Sequence, residues 1–121
     1  MNAPIKRLLI LVASITALTA CGDDDGAGPD NRPPAVDTVF TPSLNDFAPT
    51  EVTIRVGGTV VWSFGFDPHN VIFIRPATGP QPPQDIPSTM NRDIARVFPL
   101  AGTFDYECRL HPGMNGTVMV K

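Results

Sequence analysis

Residues 103–121, "TFDYECRLHPGMNGTVMVK", set two β-forming runs, 103–108 and 116–121, on either side of a short turn. The turn carries a thiol, an imidazole and a thioether at Cys108, His111 and Met114. A loop between two adjacent strands can turn three side chains inward around one ion if they recur every third residue. Pro112 and Gly113 supply the tight bend. Strand, loop and strand in this order place these side chains next to strand ends.

Upstream, the recurring residues are β-branched or aromatic, and the breaks between them carry Gly, Pro and Asn. No stretch repeats its apolar residues at the helical period. "EVTIRV" (51–56), Gly57-Gly58 and "TVVWSFGF" (59–66) read as a tight two-glycine hairpin, with Val52, Ile54 and Val56 facing one side. "NVIFI" (70–74) suits a strand buried on both sides, and "IARVF" (94–98) is another strand. Residues 75–91 hold five prolines, which lack the ladder donor, so this segment is expected to be a long loop along one edge. With residues 36–41 as the first strand, the count is seven. The expected architecture is all-β, a Greek-key β-sandwich of about seven to eight strands. Trp62 and the phenylalanines 64, 66, 73, 98 and 104 are expected in its core.

The first twenty residues, "MNAPIKRLLILVASITALTA", have a basic start and an apolar run ending in small residues, the pattern of a secretory signal. The apolar run is shorter than the ~20 residues a bilayer-spanning helix needs. The junction Leu18-Thr19-Ala20-Cys21 resembles the lipobox of bacterial lipoproteins, which implies cleavage before Cys21 and a lipid on its side chain. The alternative for Cys21 is a disulfide with Cys108, the other cysteine of the chain. Residues 21–35, with "GDDDGAGPDNRPPA" after the cysteine, are expected to be a flexible linker, and its acidic run a solvated stretch rather than a calcium site. Residues 36–121 then form one small domain with one modest core. Export removes Lys6 and Arg7, so nine basic residues become seven against twelve acidic ones, a formal charge of −5. That balance argues against nucleic acid as a partner.

The chain has only two histidines, His69 and His111, and with Cys21 lipidated only one free cysteine, Cys108. Two histidines, one thiolate and a weakly bound axial methionine make the ligand set of a blue-copper electron-transfer site. Zinc also takes Cys and His, but it more often adds a carboxylate or a second thiolate than a thioether. A cysteine hydrolase would need a third orienting group and an oxyanion hole beside Cys108 and His111, and nothing in the sequence supplies them. Singly, a histidine or a cysteine is more often a structural residue. Four donors in this order and spacing are harder to dismiss.

"DPHNVIF" (67–73) together with "AGTFDYECRLHPGMNGTVMVK" (101–121) resembles the cupredoxin family of small blue-copper proteins, in particular plastocyanins and amicyanins. The likeness begins at about "FAPTEVTIRVGGTVVW" and runs to residue 121. It implies one copper ion, cycling between Cu(I) and Cu(II), held by His69, Cys108, His111 and Met114. It also implies that Asn70 hydrogen-bonds across to the ligand loop and that the imidazole of His111 reaches the surface between Leu110 and Pro112 to pass the electron on. The two-residue gap between His111 and Met114 is the amicyanin spacing. A single cysteine in the loop departs from the binuclear copper site of oxidase subunits, and the Pro-rich segment replaces an acidic region of plant plastocyanins.

The expected function is therefore a membrane-tethered one-electron carrier that is not an enzyme. Its expected partners are redox proteins of the cell envelope (a cytochrome, oxidase or reductase), with the protein itself a monomer, lipid-anchored on the exported side of a bacterial membrane. The alternative, from a different class, is a lipoprotein that stores copper or delivers it to another exported protein. Slow metal exchange with reversible voltammetry marks the carrier, and fast transfer to an acceptor marks the donor.

Overall fold

The computed structural model describes residues 33–121; the signal segment, Cys21 and most of the linker lie outside the described residues. Among the described residues nine strands follow one another without a helix: β1 (Val36–Ser43), β2 (Asp46–Ala48), β3 (Glu51–Ile54), β4 (Gly58–Phe64), β5 (His69–Phe73), β6 (Ile86–Thr89), β7 (Arg92–Phe98), β8 (Gly102–Glu107) and β9 (Asn115–Val120). They form two sheets, β2-β1-β4-β7 and β3-β9-β8-β5-β6. β1 runs parallel to β4 and β3 parallel to β9, while the remaining pairs are antiparallel. The sandwich expected from the sequence is present, with mixed rather than purely antiparallel sheets.

Strand alternation builds the core. Along β4 the residues Val60, Trp62 and Phe64 are buried and their neighbours are not; along β5 His69, Val71 and Phe73 are buried. These inward faces meet around Trp62, whose ring stands edge-on to Phe73 at 5.9 Å and to Tyr106 at 5.3 Å. Phe47 closes on Tyr106 at 4.9 Å. Edge-to-face pairs of this kind add about 0.5–1.5 kcal/mol each beyond the area they bury. The core thus ties both sheets to the strand β8 that leads into Cys108.

Three local expectations are corrected. Residues 51–66 are not a hairpin: β3 pairs with β9 and β4 lies in the other sheet, so the chain crosses between sheets at Gly57-Gly58. The corner is held by Gly57 N–H donating to Phe98 O (2.8 Å) and Val56 N–H donating to Lys121 O (3.2 Å), which leaves Val56 half exposed at the rim. Phe66 lies past the end of β4, in the loop before His69, and is 83% exposed instead of being in the core. The run 70–74 is buried on one face only, since Ile74 is exposed and Ile72 partly so.

The Pro-rich segment is a loop as far as Asp85 and then becomes β6, the outermost strand of its sheet. Pro87 is tolerated there because an edge strand has one row of donors that need no partner. β6 pairs antiparallel with β5, His69 opposite Thr89 and Val71 opposite Ile86, with an irregularity between them.

Candidate metal centre

His69 opens β5, and the pleat that buries Val71 and Phe73 buries it as well, at 0% exposure. Cys108 comes directly after β8 and continues its inward face after Phe104 and Tyr106. Between Cys108 and β9 the loop closes on itself: Cys108 N–H donates to Met114 O (2.9 Å), and Met114 N–H donates to His111 O (3.2 Å). Gly113 sits at φ 87°, a left-handed conformation that glycine adopts without a Cβ penalty. His111 is carried outward by this turn and is half-buried, while Leu110 and Pro112 beside it are exposed.

These elements bring His69, Cys108 and His111 together from positions 39 and 3 residues apart. Their donor atoms all lie within 4.8 Å of one another. The Nδ1 of both imidazoles points at the same sulfur, His69 at 3.9 Å and His111 at 3.5 Å from Cys108 Sγ. A metal with thiolate and imidazole bonds of about 2.3 and 2.0 Å, at angles of about 110–120°, separates S from N by about 3.5–3.7 Å. The three side chains therefore stand close to the spacing that one shared ion requires. Met114, the fourth residue of the set, is buried at 1% exposure, and its backbone forms the foot of the loop.

The electrostatics favour neutral imidazole, the form that binds metal. Burial, and next the neighbouring His111, hold His69 below its ordinary value of 6.5, with Asp67 opposing. The rings of His69 and His111 lie 4.7 Å apart, so two positive charges there would repel each other. The His69 Nε2 atom is buried and has no partner among the described residues.

Asn70 is the first residue after His69, and its side chain reaches across to the loop, where Oδ1 accepts a hydrogen bond from Arg109 N–H at 2.8 Å. That bond joins the two chain segments that carry the donors. Cys108 is a free thiol, and Cys21 lies outside the described residues.

Sequence reasoning missed Gly116 and Tyr106. They face each other across the β8–β9 ladder, and a Cβ on Gly116 would collide with the Tyr106 ring. Burial raises the Tyr106 phenol well above its ordinary range, so it stays neutral. A glycine two residues beyond Met114 was the available signal, but a glycine in a strand is equally a mark of a bulge or bend.

No family model matches the chain. Individual relatives do. Amicyanin-alpha of Methylorubrum extorquens is 33% identical over 112 residues, covering 89% of each chain. Amicyanin of Paracoccus versutus is 40% identical over 72 residues, 59% of this chain, and the match spans about half (54%) of that relative's length. Among solved structures, a reduced Cu(I) form of an amicyanin variant superposes with a TM-score of 0.60 at 28% identity, over 79% of this chain and 88% of the other. An alignment running nearly end to end, the shared sandwich and the clustered His69, Cys108 and His111 lead to one assignment: the chain belongs to the cupredoxin family of blue copper proteins, alongside the amicyanins.

Proposed function

We propose that this protein is a one-electron carrier built on a single copper ion held by His69, Cys108, His111 and Met114. The observation that carries the reading is the convergence of two imidazole Nδ1 atoms on one buried thiol sulfur. Copper in such a site supplies a Cu(I)/Cu(II) couple. The chain's part is to hold the donors still. His69 is fixed within a strand, Cys108 at a strand end over the aromatic core, and His111 in a loop tied by two backbone hydrogen bonds and by Asn70. Donors that do not move between oxidation states keep the reorganisation accompanying each transfer small. Met114 lies in the same short loop and would add a weak thioether donor to the other three.

His111 is the donor nearest solvent, and exposed Leu110, Pro112 and Phe66 lie close to it or to His69 in sequence. An electron passes most readily where a ligand meets the surface, so this end of the fold is where redox proteins of the envelope would meet the carrier. The signal and the Cys21 junction support a lipid tether on the exported side of a membrane, with residues 22–35 as a spacer. The domain makes and breaks no substrate bond in this role, and it works as a monomer.

The test is protein-film voltammetry on the copper-loaded fragment 22–121, together with metal exchange against a chelator. A reversible one-electron wave and slow exchange support the carrier. Sluggish electrochemistry with rapid transfer of copper to an acceptor would shift the reading to copper delivery.

A further inference from the structure

The strand that carries His69 has an unusual outer neighbour. β6 is four residues long, contains Pro87, and pairs with β5 through an irregular register. A ladder this short holds its partner weakly unless its ends are tied. One end is: Asn91, just past β6, donates its N–H to Gly65 O at 2.8 Å. The other end is tied by three charged side chains that lie outside the metal-binding set.

Asp85, immediately before β6, accepts the Phe73 N–H with Oδ1 at 3.0 Å. Its carboxylate takes the place of the strand carbonyl that the ladder lacks at that position. The same oxygen accepts from Arg75 Nη2 at 3.2 Å, and Arg75 also reaches the carbonyls of Pro82 (3.4 Å) and Pro83 (3.2 Å). From the opposite sheet, Arg96 of β7 donates Nε to Gln84 O (2.8 Å) and Nη2 to Asp85 O (3.0 Å). Segment 82–85 is thus gripped from both sheets, with Pro82 and Ile86 buried at its two ends.

We propose that Arg75, Asp85 and Arg96 form a clasp that positions His69, holding β6 against β5 so that the imidazole keeps its aim at Cys108. His69, Val71 and Phe73 share the inward face of one strand, so play at Phe73 is passed to His69 within five residues of extended backbone. The Arg75–Asp85 ion pair is not the source of the effect. Both side chains are more than a third exposed, and exposed pairs contribute little. What counts is the acceptor for Phe73 N–H, because a strand-end amide without a partner lets the strand fray there. The clasp rests on His69 being a ligand, so its test separates the two ideas.

The experiment compares fragment 22–121 with Asp85→Ala, Asp85→Asn and Val60→Ala, a core truncation in the other sheet. Amide exchange at Phe73 and Val71 is followed in the metal-free proteins, and copper release to a chelator in the loaded ones. Asp85→Ala is expected to expose the Phe73 amide and speed copper release by roughly tenfold, the lower range for losing a residue that orients a metal ligand. Asp85→Asn keeps an acceptor oxygen and is expected to recover most of both. Val60→Ala is expected to lower stability without speeding release comparably. Wild-type exchange and release in Asp85→Ala, or equal acceleration in Val60→Ala, would overturn the clasp. If Asp85→Ala does not fold, Arg96→Gln decides the same question: it must loosen the Phe73 amide and hasten release, or the clasp is refuted. Failure of the wild type to bind copper would refute the ligand assignment instead, and the exchange data would still report on the clasp.

Discussion

Replacing Gly116 with alanine adds one methyl group where there is no room for it. The new Cβ would meet the ring and hydroxyl of Tyr106. That ring cannot give way: it is 1% exposed, with Phe47 at 4.9 Å, Trp62 at 5.3 Å and Phe73 at 5.8 Å. Overpacking a filled core costs about 1–3 kcal/mol, and a ring pinned on three sides puts Gly116→Ala at the top of that range. For a domain of this size each kcal/mol moves the melting temperature by about 4–8 °C, so ~3 kcal/mol corresponds to about 12–24 °C. The disturbance also enters the site at both feet. Tyr106 precedes Cys108 by two residues and Gly116 follows Met114 by two, so copper affinity should fall with stability. Thermal and urea unfolding of the metal-free fragment 22–121 measures the first effect, and copper titration the second. Tyr106→Leu in the Gly116→Ala background makes space for the methyl group, and the double variant should be more stable than Gly116→Ala alone, a coupling of the kind contacting residues show. Stability within about 0.5 kcal/mol of wild type, or a Tyr106→Leu cost that simply adds to the first, would show that the Tyr106 ring does not block a side chain at position 116.

Asn70→Ala removes the acceptor for Arg109 N–H and should weaken copper binding by about 10–100-fold, read by competition with a chelator; unchanged affinity would show that the loop holds itself. In the metal-free domain, burial and His111 keep the folded His69 below 6.5, so the unfolded chain takes up a proton there first. Stability should therefore fall as the pH drops below about 7 and keep falling until the folded His69 titrates; melting curves should show this slope in the wild type and a flatter one in His69→Gln. Trp62→Ala should cost about 3–5 kcal/mol as a cavity in the core, whereas Phe66→Ser, at an exposed position, should stay within about 0.5 kcal/mol. Equal effects of the two in urea melts would contradict the burial pattern.

The cluster was legible because its chemistry is local: Cys108, His111 and Met114 stand on one loop, and the chain offers only one further imidazole, His69. The strands were legible where β-branched and aromatic residues alternate, as along 59–64 and 103–108. What escaped was pairing. Gly57-Gly58 has the residues of a hairpin turn, but which sheet each flanking strand joins is set by β9 and β1, and β9 lies some sixty residues away. Parallel partners of this kind leave no trace in the turn between them. Phe66 was misplaced because aromatic character alone does not mark the end of a strand; Gly65 before it and Pro68 after it were the available signals of a loop. The clasp of Arg75, Asp85 and Arg96 was invisible for another reason. Its acceptors are mostly backbone carbonyls of a Pro-rich segment, and any sequence supplies those.

Whether Cys108 holds copper is read from the visible absorption spectrum of fragment 22–121 after addition of Cu(II), beside that of Cys108→Ala. Copper bound by Cys108 predicts an intense blue thiolate-to-copper band in the wild type that disappears in the variant. A colourless wild type, or a band that survives the loss of Cys108, would contradict it.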